Sequence, residues 1–133
     1  MSLAALVCVT MFATSCATTG KTGKNEWDES LPMYEVTGKT QGNTFRKYIL
    51  LGDRVFAVET YTSGKLRRKS FFKPDGTPLA AEVYSGGQVK ETHLFDDQGR
   101  LQVIRKLISS SPERYANTIY NPDGSIRSIL FRP

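Results

Sequence analysis

The chain has 133 residues and a mass of 14.8 kDa, room for one domain. It is 39% hydrophobic and 23% charged, a balance that excludes a disordered chain or a multi-span membrane protein. A net charge of +5 and a pI near 9.3 favour acidic surfaces, although such a charge serves solubility first.

Residues 3–13 (LAALVCVTMFA) are an apolar run too short to span a bilayer but suited to the core of a signal peptide. The run ends in Ala13-Thr14-Ser15-Cys16, small residues before a cysteine, which resembles a bacterial lipobox. The resemblance implies a signal peptide over 1–15 and a lipid on Cys16. Only Met1-Ser2 precede the run and neither is basic, which points to a true start upstream of Met1. Cys8 would leave with the signal peptide and Cys16 would carry lipid, so no thiol remains for a disulfide or a cysteine metal site. Several acyl chains anchor firmly where one holds only marginally. Ala17, rather than an aspartate, after the cysteine implies the outer membrane, facing the periplasm or the cell surface.

Residues 17–32 (ATTGKTGKNEWDESLP) are polar and without periodicity, and with Cys16 they are expected to form a flexible tether over 16–32. Trp27 is its one apolar feature, free to dock on the domain or at the membrane interface.

A repeat dominates residues 33–133. Gly52, Gly64, Gly76, Gly87 and Gly99 recur about once every dozen positions, and Gly124 follows after roughly twice that interval. Residues 109–113 (SSSPE) supply the missing turn in the last gap. An aromatic precedes most of the glycines and an aliphatic follows: Tyr61 and Leu66 around Gly64, Tyr84 and Val89 around Gly87, Phe95 and Leu101 around Gly99, Tyr120 and Ile126 around Gly124. Short forms fit two-residue turns; the PDG and DQG forms fit a type I turn with a glycine bulge. Turns so closely spaced leave no room for helices. The expected fold is all-β, an antiparallel up-and-down meander of about eight strands, as a single sheet or a curled half-barrel. The pattern resembles the MORN-type repeat proteins, in particular the bacterial antitoxin-like group, over residues 45–131, most closely at Tyr61–Leu66 and Tyr84–Val89. That resemblance implies a binding or immunity module.

Turn chemistry sets the pairs Leu50–Val55, Tyr61–Leu66, Phe72–Pro78, Tyr84–Val89 and Phe95–Leu101. Carried unbroken across the strands, these registers put a charged row Arg46, Glu59, Arg68, Glu82, Glu91, Arg105 on one face. Tyr48 and His93 lie in the row beside it, and Tyr61 and Tyr84 frame it. Opposite charges alternate except at Glu82–Glu91, where like charges would face one another. Such a row either solubilises a sheet, each pair contributing about 0.2–1 kcal/mol, or forms a docking stripe. The reverse face would carry Ile49, Phe56, Phe71, Leu79 and Leu94 among Lys47, Arg67, Lys69, Lys90 and Lys106.

No catalytic site is expected. His93 is the sole histidine, Ser70 lies two strands away, and no His or Cys spacing suits a metal. The chemistry points to a non-enzymatic lipoprotein without cofactor or metal, held to the membrane by lipid, with a protein partner rather than nucleic acid. Neutralising a toxin or binding cell-wall polysaccharide through Tyr48, Tyr61 and Tyr84 are the alternatives.

Overall fold

A computed structural model describes residues 25–133. Nine strands run β1 (Met33–Thr37), β2 (Thr44–Leu51), β3 (Arg54–Thr62), β4 (Lys65–Phe72), β5 (Pro78–Ser85), β6 (Gln88–Phe95), β7 (Leu101–Ser110), β8 (Glu113–Tyr120) and β9 (Ile126–Arg132). They form one antiparallel sheet in chain order, not closed into a barrel, and the described residues include no helix. The additional strand is β1, which precedes the repeats. It joins β2 through residues 38–43, where the Gly38 N–H donates to the Arg46 carbonyl at 2.7 Å.

Each turn has the backbone its residues demand. Ser63 and Gly64 both have positive φ (53° and 78°), as do Gly86 and Gly87 (62° and 77°), the mirror-image turn whose twist matches the strands. Gly76, Gly99 and Gly124 close longer loops. In each, the glycine N–H donates back three residues, to the carbonyls of Lys73, Asp96 and Asn121. The turn predicted over residues 109–113 falls between β7 and β8, at Ser111–Pro112.

The five turn-side pairs hold as expected, but the register does not continue unbroken. One residue inward from each pair, the outgoing strand carries an extra residue. Ile49 opposes Ala57 instead of Phe56, Thr60 opposes Arg68 instead of Arg67, and Val83 opposes Glu91 instead of Lys90. Leu79, Gln102 and Arg127 occupy the same place in β5, β7 and β9. These are β-bulges. Because side chains alternate with period two, each one-residue slip reverses the face of everything beyond it. The repeat aromatics therefore land on opposite faces at the two ends of the strands. Tyr61, Tyr84 and Tyr115 lie on one, here the Tyr61 face; Phe72, Phe95 and Tyr120 lie on the other, the His93 face.

A sheet one layer thick buries little. Met33, Ile49, Leu51 and Ala57 form a small core on the Tyr61 face, beside the Gly52 and Gly76 turns, and Trp27, Phe56 and Phe71 pack against it. Trp27 meets Phe56 edge-on at 5.5 Å, and Phe56 meets Phe71 in the same manner at 6.3 Å. The end of the expected tether, from Asn25 onward, thus lies on the sheet: Leu31 sits under Gly52, and Asn25 bonds the backbone N–H and the carboxylate of Asp75. Ala81, between Ser70 and His93, is the buried residue of the opposite face.

Candidate functional site

Directly opposed residues share a face, so the ladder assigns every expected site residue. Glu59, Tyr61, Glu82, Tyr84 and Arg105 lie on the Tyr61 face; Arg46, Tyr48, Arg68, Glu91 and His93 lie on the other. The single charged stripe is therefore two half-stripes, back to back. Glu82 opposes Thr92, and Glu91 opposes Val83 on the reverse face. These two carboxylates do not confront one another, and no cation is needed between them. The bulge in β6, whose extra residue is Lys90, separates them. Cys16 lies outside the described residues.

On the Tyr61 face the row reads Lys47, Glu59, Lys69, Glu82, Thr92, Arg105 and Asn117. Unbroken register had put both lysines on the reverse side. Alternating charge makes this row cohesive: Lys69 reaches Glu59 at 3.3 Å, with Glu59 only 14% exposed. Each acid is also held by a tyrosine two residues on. The Tyr61 hydroxyl donates to Glu59 at 2.8 Å and the Tyr84 hydroxyl to Glu82 at 2.7 Å. Burial of the two phenols, followed by these bonds to carboxylates, pushes both tyrosines up to about 12. Phe45 stacks on Tyr61 at 4.9 Å with the rings 4° from parallel, Lys47 lies 5.5 Å over the same ring, and Arg105 sits 3.9 Å over Tyr115.

The His93 face is simpler. His93 Nε2 and Glu91 Oε1 are 2.9 Å apart, and Arg68 Nε donates to the Ser70 hydroxyl at 3.2 Å. No hydroxyl nucleophile bonds to His93 among the described residues, and no group of three or more His, Cys, Asp or Glu there is placed to hold a metal.

Two further features escaped the residue-by-residue reading. The first is β9, the outermost strand of the described sheet, whose Ile126, Ile129, Leu130 and Phe131 are 57%, 49%, 41% and 67% exposed. The second is a separation of charge along the strands. Asp53, Asp75, Asp96, Asp97 and Asp123 sit in the turns at one end with Arg54, Lys73 and Arg100, whereas Lys39, Lys65, Arg67, Lys90 and Arg114 cluster near the other with Glu91 and Glu113. The signal was present in the sequence: Arg67 and Lys90 each follow the aliphatic of a strong repeat copy, at equivalent places.

No family model and no curated protein matches the chain. Among solved structures it is similar to a chain of "Crystal structure of GtfA/B complex bound to UDP and GlcNAc", with a TM-score of 0.46 and 13% identity over 83% of this chain and 27% of that one. The chain spans about a quarter of that neighbour's length, and a likeness of this degree bears on neither activity nor ligand.

Proposed function

We propose that the chain is a non-enzymatic binding module of the bacterial envelope, held to the membrane through a lipid on Cys16, and that it takes a protein partner by strand addition at β9. The observation that carries this reading is the open edge itself. The outward side of β9 has no strand beside it among the described residues, and four large apolar side chains on that strand face solvent. Exposed edges template pairing with another chain; the bulge at Arg127 and the terminal Arg132-Pro133 flank the stretch of β9 that carries Ile129, Leu130 and Phe131. The opposite edge, β1, is covered at its start, where Met33 is buried and the 25–32 segment packs on the corner, and exposes a single large apolar side chain, Val36.

A photo-crosslinking side chain in place of Phe131, in the full-length lipidated protein within native envelopes, tests the proposal. A discrete protein adduct that disappears when Ile129→Asp is added is the expected result. Absence of any adduct, or adducts indifferent to Ile129→Asp, overturns it.

A further inference from the structure

We infer that the strand ends carrying the Ser63–Gly64 and Gly86–Gly87 turns bind a linear anionic polysaccharide laid across the strands, at a site separate from the β9 edge. The inference rests on the reading of the chain as a binding module and adds a second class of ligand to it.

Two depressions of matching construction lie on this part of the Tyr61 face. One is lined by Lys65, Leu66 and Arg67, with Tyr84 and the bare backbone of Gly86 and Gly87. The other is lined by Val89, Lys90, Glu91 and Thr92, with Arg105 and Tyr115; the Glu91 carboxylate there is engaged by His93 Nε2 at 2.9 Å. Leu66-Arg67 and Val89-Lys90 occupy the same repeat positions two strands apart, an aliphatic followed by the bulge residue. A bulge residue stands outside the cross-strand ladder, so Arg67 and Lys90 are not committed to the charge pairs of the central row; Lys90 Nζ donates to the neutral Gln88 side chain at 3.2 Å. Arg67 is exposed and makes no ion pair among the described residues.

The first depression thus offers cations, the Tyr84 ring and an apolar floor; the second offers cations over an apolar floor, its Tyr115 ring being covered by Arg105. Flat rings accept the apolar C–H faces of pyranose sugars, and the cations accept carboxylate or sulfate groups by charge-assisted hydrogen bonds. Glu82, fixed by the Tyr84 hydroxyl, keeps its second oxygen free to accept from sugar hydroxyls. Strands β4 and β6 are two ladder steps apart, about 9.6 Å. An extended glycan with one acidic group per disaccharide presents its charges at a comparable interval. The cations of the near end draw such a polymer in. Nucleic acid carries a phosphate on every nucleotide, a closer spacing that would also press charge against Glu82. A lipid surface would use the exposed cations without needing depressions.

Titration calorimetry of the folded protein with hyaluronate and unsulfated chondroitin oligosaccharides, each with one carboxylate per disaccharide, tests this, alongside neutral dextran, a single-stranded oligonucleotide and vesicles of phosphatidylethanolamine with phosphatidylglycerol. Saturable binding to an acidic glycan is expected, weakening with salt. The combined Arg67→Gln and Lys90→Gln variant is expected to lose about tenfold in affinity at unchanged melting temperature. Asp97→Asn, at the opposite strand end, leaves affinity as it was. Tyr84→Leu weakens binding without altering its salt slope. Equal affinity for the oligonucleotide or the vesicles overturns the inference, as does an unaffected double variant or a lack of binding to both glycans. If the glycans fail while the β9 adduct persists, the binding-module reading stands without this site; if both fail, the underlying reading falls with it.

Discussion

The indole N–H of Trp27 donates to the main-chain carbonyl of Phe72 at 2.9 Å, tying a residue expected in a loose tether to a strand 45 positions further along the chain. The same indole covers Phe56, so one side chain closes the open side of the small core. Trp27→Phe keeps the ring and removes the donor, and is expected to cost about 1 kcal/mol. Trp27→Ala removes both, for about 3 kcal/mol. Urea midpoints decide the matter: equal losses would mean that the hydrogen bond, and not the packing, holds the segment.

The raised tyrosines predict alkaline behaviour with a definite sign. Their folded values of about 12 exceed the value of about 10 in the unfolded chain, so the stabilisation is complete below pH 10 and fades as pH rises toward 12. Absorbance titration is expected to show two phenols ionising late. Glu59→Gln should lower the Tyr61 midpoint only in part, because burial is the larger cause. A fall to the ordinary value would mean that the carboxylate dominates.

Acid acts on the turns at the other strand end. Backbone donation from Arg100, together with its guanidinium and the Gln98 N–H, holds the Asp96 carboxyl below its ordinary value. Asp123 is lowered by the Ser125 hydroxyl and N–H. Their contributions are present above the unfolded carboxyl value, about 3.9, and disappear as pH falls through the lower folded values. Melting temperature measured from pH 5 downward should decline less steeply in Asp96→Asn than in the parent. An identical slope would dismiss the turn carboxylate as a source of acid sensitivity.

Glycine substitutions separate strain from crowding. Gly87 has φ of 77° and open space around it, so Gly87→Ala is expected to cost about 1 kcal/mol from conformation alone. Gly99 has φ of 81°, but a Cβ there would lie 3.1 Å from both Pro78 and Thr77. Gly99→Ala should therefore cost more. Matched denaturation curves that rank the two the other way would contradict this account of the loops.

The proposed anchor is tested at its own residue. Cys16→Ala is expected to leave an unprocessed precursor without attached fatty acid, read by mass and by metabolic lipid labelling. A variant that still fractionates with membranes at the parent mass would remove the lipid from the proposal.

The strands and their turn-side pairs were legible because the turn glycines announce positive φ locally, and hairpin turns transmit that choice to the adjoining pair. The faces were not. A bulge of this kind accepts phenylalanine, arginine, leucine, lysine or glutamine as its extra residue, as Phe56, Arg67, Leu79, Lys90 and Gln102 show, so no residue type marks it. An unbroken register then set Glu82 against Glu91 and hid Lys69 from the stripe it completes. Strand β1 carries no turn glycine of the repeat and was invisible for that reason. The docking of Trp27 depends on the Phe56 ring and the Phe72 carbonyl both lying within its reach at one corner, a tertiary fact that a polar, aperiodic segment does not encode.

The regular recurrence of the bulges also governs how such a chain can grow. Inserting one strand and one turn would exchange the two strand ends for everything downstream, sending aspartates to the basic end and turning tyrosines to the other face. Inserting two strands, the interval that separates Tyr61 from Tyr84, preserves both the end and the face of each later residue. Duplication in that unit would lengthen the row of depressions by one and leave the chemistry of the rest unaltered, so the reach of the surface can be set by copy number alone.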